Sequence, residues 1–198
     1  MFYDAIRNDH GFEHDPFKAL VAPRPIGWIS SLSPQGIANL APYSYFNAVA
    51  ENPHYLVYGS GAGKDTIRNI EATGEYAVNL ATYALREQMN ATSANLPPQA
   101  DEFEDARLGK APCRLIRPPR VSESPVCFEC RLFRVIDLPN EQGRIDNRMV
   151  IGRVVGIHID DRFIRNGRVD TAAMHPIARL GYSEYATVES AWTMRRPP

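Results

Sequence analysis

The stretch Pro23–Asn47, PRPIGWISSLSPQGIANLAPYSYFN, restricts this chain more than any other. Pro23 and Pro25 bracket Arg24, and a proline pushes the residue before it into extended geometry. The chain therefore enters Gly27–Leu32 already stretched, as a strand. Ser33-Pro34-Gln35-Gly36 follows, with proline second and glycine fourth as a type I turn prefers, and Ile37–Phe46 returns antiparallel. Pro42 stands inside that return. A proline cannot donate to a ladder, so its place implies an edge, a bulge or a point where pairing opens. The bend Leu40–Asn47 also carries Tyr43, Ser44, Tyr45 and Phe46 where a plain core strand would carry Val and Ile.

Strand signals recur along the rest of the chain. Tyr55–Tyr58, Glu75–Ala81, Cys113–Ile116, Pro125–Leu138 and Asn147–Ile159 read as strands, most of them bounded by turn residues. Two helices are expected. One runs through Lys64–Thr73, capped by Asp65 or Thr66, with Ile67 and Ile70 on one face and Gly74 as its stop. The other starts after Thr82, with Leu85 and Met89 on one face and Arg86 and Asn90 on the other. Residues 1–22 read as a polar lead-in, 91–112 as a long excursion with little regular structure, and 160–198 as a tail that is polar and irregular until Pro176–Tyr182. The alternation of strand and helix that builds a parallel sheet is missing, so the sequential antiparallel pattern favours a closed barrel. At 198 residues, a single domain over 1–198 is expected.

Composition removes several classes of function. The formal net charge is −1, with both signs scattered, which is not the basic face of a nucleic-acid binder. No apolar run approaches the ~20 residues of a membrane-spanning helix. The start, MFYDAIRNDHGF, lacks the basic and apolar regions of a signal peptide, and a cytoplasmic protein is expected. Three cysteines do not suggest a disulfide framework. Cys127 and Cys130 form a CxxC pair, but residues three apart on a strand point to opposite faces. No second CxxC or His pair completes a zinc site, and no metal is expected.

Gly59-Ser60-Gly61-Ala62-Gly63-Lys64-Asp65-Thr66 follows a strand and opens a helix. Free backbone N–H groups there, with Lys64 and the Ser60 and Thr66 hydroxyls, suit a phosphate. The spacing is neither a Walker loop nor G-x-G-x-x-G, and a flexible loop before a capped helix explains it equally well. In the hairpin, Ser30, Ser31, Ser44 and Asn47 need partners if buried. A ligand rich in carbonyl and imide groups, such as an isoalloxazine ring, can supply them; so can the neighbouring backbone. Trp28, Tyr43, Tyr45 and Phe46 can hold a flat ligand or fill a core. His158 ends the last long strand, where it can contact a nicotinamide or flavin or cap a sheet edge. No Ser-His-Asp order or spacing stands out.

The segments RPIGWISSLSPQGIANLAPYSYFNAVAENP, GSGAGKDTIRNIEATGEYAVNLAT, LREQMNATSANLP, PPRVSESPVCFEC, IGRVVGIHID and ARLGYSEYA, in this order, resemble the flavin reductase-like proteins with an FMN-binding split barrel. The resemblance covers nearly the whole chain. It implies a mostly β fold: a six-stranded antiparallel split barrel with two or more short peripheral helices, assembled as a homodimer with FMN at or near the interface. By position it implies that Trp28, Ile29, Ser30, Ser31, Ala41, Pro42, Tyr43 and Ser44 line the ring and ribityl chain, with Asn47 at the end of that wall. Ser60, Lys64, Asp65 and Thr66 would surround the phosphate, and Arg179 and Tyr182 would come near the flavin. An opened ladder at Pro42 would leave the backbone of Ala41–Ser44 free for the flavin edge.

Such proteins include NAD(P)H:flavin reductases that feed an oxygenase and flavoredoxin-like electron carriers. The expected function is therefore an FMN-binding oxidoreductase. NADH or NADPH would pass hydride to FMN, and electrons would go on to free flavin, oxygen or a partner oxygenase. The alternative is a flavin-binding electron carrier without nicotinamide turnover. Hydride transfer is the cofactor's chemistry, so no catalytic side chain is assigned.

Overall fold

The computed structural model describes residues 1–197. Seven strands share one sheet: β1 Gly27–Leu32, β2 Ala38–Tyr43, β3 Phe46–Glu51, β4 His54–Gly61, β5 Glu75–Leu80, β6 Val126–Pro139 and β7 Ile145–Ile159. Their order is β2-β1-β5-β6-β7-β4-β3, and every neighbouring pair is antiparallel. The two edge strands, β2 and β3, are consecutive in the chain and separated only by Ser44 and Tyr45. Such a link reaches at most ~11 Å, so the two edges of the sheet must curl round to meet. The result is a barrel closed by the chain itself at a seam where β2 and β3 do not pair.

The mostly β split barrel with short peripheral helices is therefore present, with seven strands where six were expected. The extra strand arises because Ile37–Phe46 is not one strand: the chain leaves one edge at Tyr43 and joins the other at Phe46. Nor does the ladder open at Pro42. The β1–β2 register runs unbroken from Leu32↔Ala38 to Gly27↔Tyr43. On an edge strand, successive N–H groups alternate between the partner and the open side. Leu40 sends its N–H to the open side, to Glu102, so the Pro42 nitrogen, two residues on, faces the same way and costs no ladder bond. The opening lies two residues later, at Ser44, where the seam begins.

Helix α1, Asp65–Thr73, ends as expected. Gly74 takes φ 74° and its N–H returns to the Ile70 carbonyl at 2.8 Å. Its N-cap is Lys64, which offers no acceptor; Asp65 instead pairs with Arg68 and Thr66 is buried. Tyr83–Leu85 forms a 3₁₀ turn leading into α2, Arg86–Ala91, with Leu85 and Met89 buried. Two irregular segments differ from expectation. The excursion 91–112 contains a one-turn helix, α3 Glu102–Asp105, capped by Asp101. In the tail, the part read as irregular holds a short hairpin, Ile164–Arg165 against Arg168–Val169, and beyond it Ile177–Arg179 pairs with both Arg24–Pro25 and Tyr185–Thr187. Conversely, Cys113–Ile116 forms no strand. No helix among the described residues is long and apolar enough to cross a membrane.

Alternate faces of β1 serve two core layers, as strand geometry requires. Trp28 packs with Leu40, Met89 and Phe103, and Ile29 with Tyr58, Ile67, Ile70 and Tyr76. Gly27 sits under the seam, where an added Cβ would stand 2.6 Å from the Phe46 ring. A buried polar chain ties the excursion to the barrel. Asn39 Nδ2 and the Leu40 N–H donate to the two Glu102 carboxylate oxygens at 2.9 and 3.0 Å. The Thr66 hydroxyl donates to Asn39 Oδ1 at 2.7 Å and accepts the Tyr43 phenol at 2.8 Å. Burial pushes the Glu102 carboxyl above the usual carboxylate range, against the pull of these hydrogen bonds.

Gly27→Ala should cost ~1–3 kcal/mol by crowding the Phe46 ring, seen as a lower urea midpoint at unchanged slope. The Glu102 carboxyl gives a pH signature. A pKa raised on folding contributes stability below the unfolded pKa that is lost as pH climbs through the folded one. The wild-type midpoint is expected to fall over that window, and Glu102→Gln to lack the step.

Candidate functional site

The β3–β4 hairpin brings the bend and the glycine-rich loop together. Its register places Phe46 opposite Tyr58, so the residues just outside, Tyr45 and Gly59, must also face each other. The Gly59 N–H donates to the Tyr45 carbonyl at 2.7 Å, and the Tyr43 phenol reaches Thr66. Burial pushes that phenol up from its ordinary value, so it stays a neutral donor. Segments separated by more than a dozen residues thus form one wall.

A cavity of about 1080 Å³ lies against the bend. Pro42, Ser44 and Tyr45 form one side; Tyr83, Arg86, Asn90 and Ser93 come from α2 and its flanks, and Arg179, Tyr182 and Tyr185 from the tail. The Arg86 guanidinium sits 4.1 Å from the Tyr83 ring centre and that of Arg179 4.5 Å from Tyr185. Lys18, Arg24, Arg86 and Arg179 outnumber Asp15 and Glu87 in the lining, so the cavity favours an anion. Arg24 is buried, with its terminal nitrogens on the carbonyls of Lys18, Val21 and Leu180. Its Nε has no partner among the described residues. An unsatisfied buried donor costs ~1–3 kcal/mol. Lys64 extends to Asn95 Oδ1 at 2.9 Å, two residues along the chain from the lining residue Ser93.

The expected site residues divide sharply. Pro42, Ser44, Arg179 and Tyr182 line the cavity. Trp28, Ile29, Ser30 and Ser31 do not, since their side chains are fully buried. Trp28 Nε1 donates to Thr92 at 2.9 Å, Ser30 donates to the Pro119 carbonyl, and Ser31 to Asn39 at 3.4 Å. From Gly27 to Ser30, β1 is paired on both sides, so its backbone is committed as well. Ala41 lies opposite Ile29 on β2 and is not part of the lining. Asn47 is exposed on β3, its side chain accepting from the Ala48 N–H at 2.8 Å.

In the loop, Ser60 is buried and the Thr66 hydroxyl is fully engaged between Tyr43 and Asn39. Asp65 turns to Arg68 and lines a different cavity, of about 550 Å³, with Pro97 and Pro98. Only Lys64 of the four is exposed. His158 neither lines the large cavity nor caps an edge; it pairs with Glu129 beside a third cavity. Arg24, Tyr83, Arg86, Asn90 and Tyr185 were not assigned from sequence as site residues. The one signal for Arg86 and Asn90 was their place on the polar face of α2, opposite Leu85 and Met89.

Residues 20–173 match the family model for the flavin reductase like domain. YwrF from Bacillus subtilis is 34% identical over 192 residues, covering 92% of this chain and 94% of that protein. Among solved structures, nitrilotriacetate monooxygenase component B from Bacillus cereus aligns with a TM-score of 0.88 at 32% identity, over 98% of each chain. The 2-nitrobenzoate 2-nitroreductase NbaA of Pseudomonas fluorescens aligns with a TM-score of 0.82 at 28% identity, over 91% of this chain and 88% of that one. The matched span contains the whole barrel, its seam and the glycine-rich loop. The chain belongs to the flavin reductase like domain family.

Proposed function

We propose that this chain is an FMN-dependent oxidoreductase in which NADH or NADPH reduces the flavin and the electrons pass to free flavin, oxygen or a partner oxygenase. The observation that carries this reading is the large, positively lined cavity at the seam. Its volume of about 1080 Å³ lies at the top of the range for small-molecule sites, room for a flavin together with part of a dinucleotide. When bound, FMN supplies the hydride-accepting ring. Pro42, Ser44 and Tyr45 would hold that ring, with Tyr182 beside it. Lys64, Ser60 and the backbone N–H groups opening α1, including those of Asp65 and Thr66, would hold the phosphate, since the side chains of Asp65 and Thr66 are turned elsewhere. Arg24, Arg86 and Arg179 would attract the anionic nicotinamide dinucleotide. Trp28–Ser31, Ala41 and Tyr43 act as the scaffold that fixes the shape of this wall.

A homodimer is part of the proposal. Val49 on β3, Phe133 on β6 and Ile157 on β7 leave large apolar groups in solvent, and a second copy is the occupant that would cover them. The likeness to a monooxygenase component B supports an oxygenase as the onward partner. Three unpaired thiols fit the reducing cytoplasm.

The test is an anaerobic titration of the FMN-loaded protein with NADH and with NADPH, followed by flavin absorbance. Bleaching by one or both, in proportion to the nicotinamide added, is expected. Bleaching by dithionite but by neither nicotinamide would replace the reductase with an electron carrier.

A further inference from the structure

A cavity of about 580 Å³, lined by Arg114, Leu115, Arg120, Glu129 and His158 among others, plays no part in the flavin reading. Two of its lining residues, Glu129 and His158, converge with the neighbouring Cys113 thiol. The Cys113 sulfur, a Glu129 oxygen and a His158 ring nitrogen lie within 4.8 Å of one another. The barrel sets this up. The β6–β7 register puts Cys127 opposite His158 and Glu129 opposite Gly156, and an added Cβ at Gly156 would stand 3.2 Å from the Glu129 carboxylate. Cys127 and Glu129, two apart, share a face.

Glu129 is 0% exposed, a rare position for a carboxylate unless it is paired or bound to a metal. It accepts the N–H groups of Arg114 and Leu115 at 2.7 and 2.6 Å and contacts His158 Nε2. Two backbone donors fixing one carboxylate are the kind of outer contact that orients a ligand.

We propose that Cys113, Glu129 and His158 form a divalent transition-metal site suited to Zn²⁺. Sulfur, nitrogen and carboxylate oxygen are the donors zinc accepts, and three protein ligands leave a fourth position open to the cavity, as in catalytic zinc sites. A thiolate and an imidazole are poor donors for Ca²⁺ or Mg²⁺. One thiolate and one carboxylate also neutralise the ion's charge in a poorly solvated place. Binding replaces the His158–Glu129 contact and converts the Cys113 thiol to a metal thiolate, with its proton released to solvent. The CxxC pair, Cys127 and Cys130, is set aside as a metal pair on strand geometry. Those thiols do face different core clusters, Cys127 with Ala77 and Ile116 and Cys130 with Ile29 and Tyr76.

Chelator-treated full-length protein titrated with Co²⁺ tests the site. A thiolate-to-cobalt charge-transfer band is expected, saturating at one ion per chain and lost when Zn²⁺ is added. Cys113→Ser should abolish the band, His158→Ala should weaken Zn²⁺ by at least ~10-fold, and Cys130→Ser, whose thiol lies in the other core cluster, should change neither. FMN affinity and far-UV circular dichroism should be unaltered in all three. The assignment is overturned if folded protein gives no band, if the band survives Cys113→Ser, or if His158→Ala binds Zn²⁺ as tightly as the wild type.

Discussion

Ser44 and Tyr45 join the two edges of a seven-stranded sheet, and the rest of the structure depends on that short connection. A sheet of this size can stay open, but here its edges cannot separate by more than the link allows. Closure by chain rather than by ladder leaves an unpaired seam. Backbone at a seam, unlike backbone in mid-sheet, is available to a ligand, and the large cavity lies there. The same link explains Gly27, over which Phe46 must pass, and Gly59, whose N–H anchors Tyr45.

The seam is held in shape from behind. Glu102, Asn39, Thr66 and Tyr43 form a continuous hydrogen-bonded chain from the excursion through the hairpin to the start of α1. The members come from three elements, α3, β2 and α1, so the chain fixes their relative positions more firmly than packing alone. The cost is a carboxyl whose ionised form burial disfavours. Thr66 illustrates the outcome: its place in the loop suits a phosphate contact, yet its hydroxyl is spent on holding the loop to the bend.

What sequence made legible was local. The Ser33–Gly36 turn, the Gly74 stop and the long strands β6 and β7 follow from turn residues, a left-handed glycine and alternation, each readable within a few positions. The seam was not legible, because Ser44-Tyr45 carries no turn signature and its meaning lies in which strands it joins. The tail strands are two or three residues long, too short for alternation to show, and one of them is joined to a partner far away, Arg24–Pro25. At the site, a motif aligned by position does not say which way a side chain points. Trp28 to Ser31 face the core, whereas Arg86 and Arg179, over 90 positions apart in the chain, face one cavity.

The central claim is that one flavin spans the seam and the glycine-rich loop, ring at the first and phosphate at the second. Binding of FMN and of riboflavin, which lacks the phosphate, to Tyr45→Ala and Lys64→Ala separates the two halves. The account predicts that Tyr45→Ala weakens both flavins, while Lys64→Ala weakens FMN by ~10–100-fold, the loss of one charged hydrogen bond, and leaves riboflavin unchanged. Equal losses of FMN and riboflavin in Lys64→Ala, or undiminished binding of both in Tyr45→Ala, would contradict it.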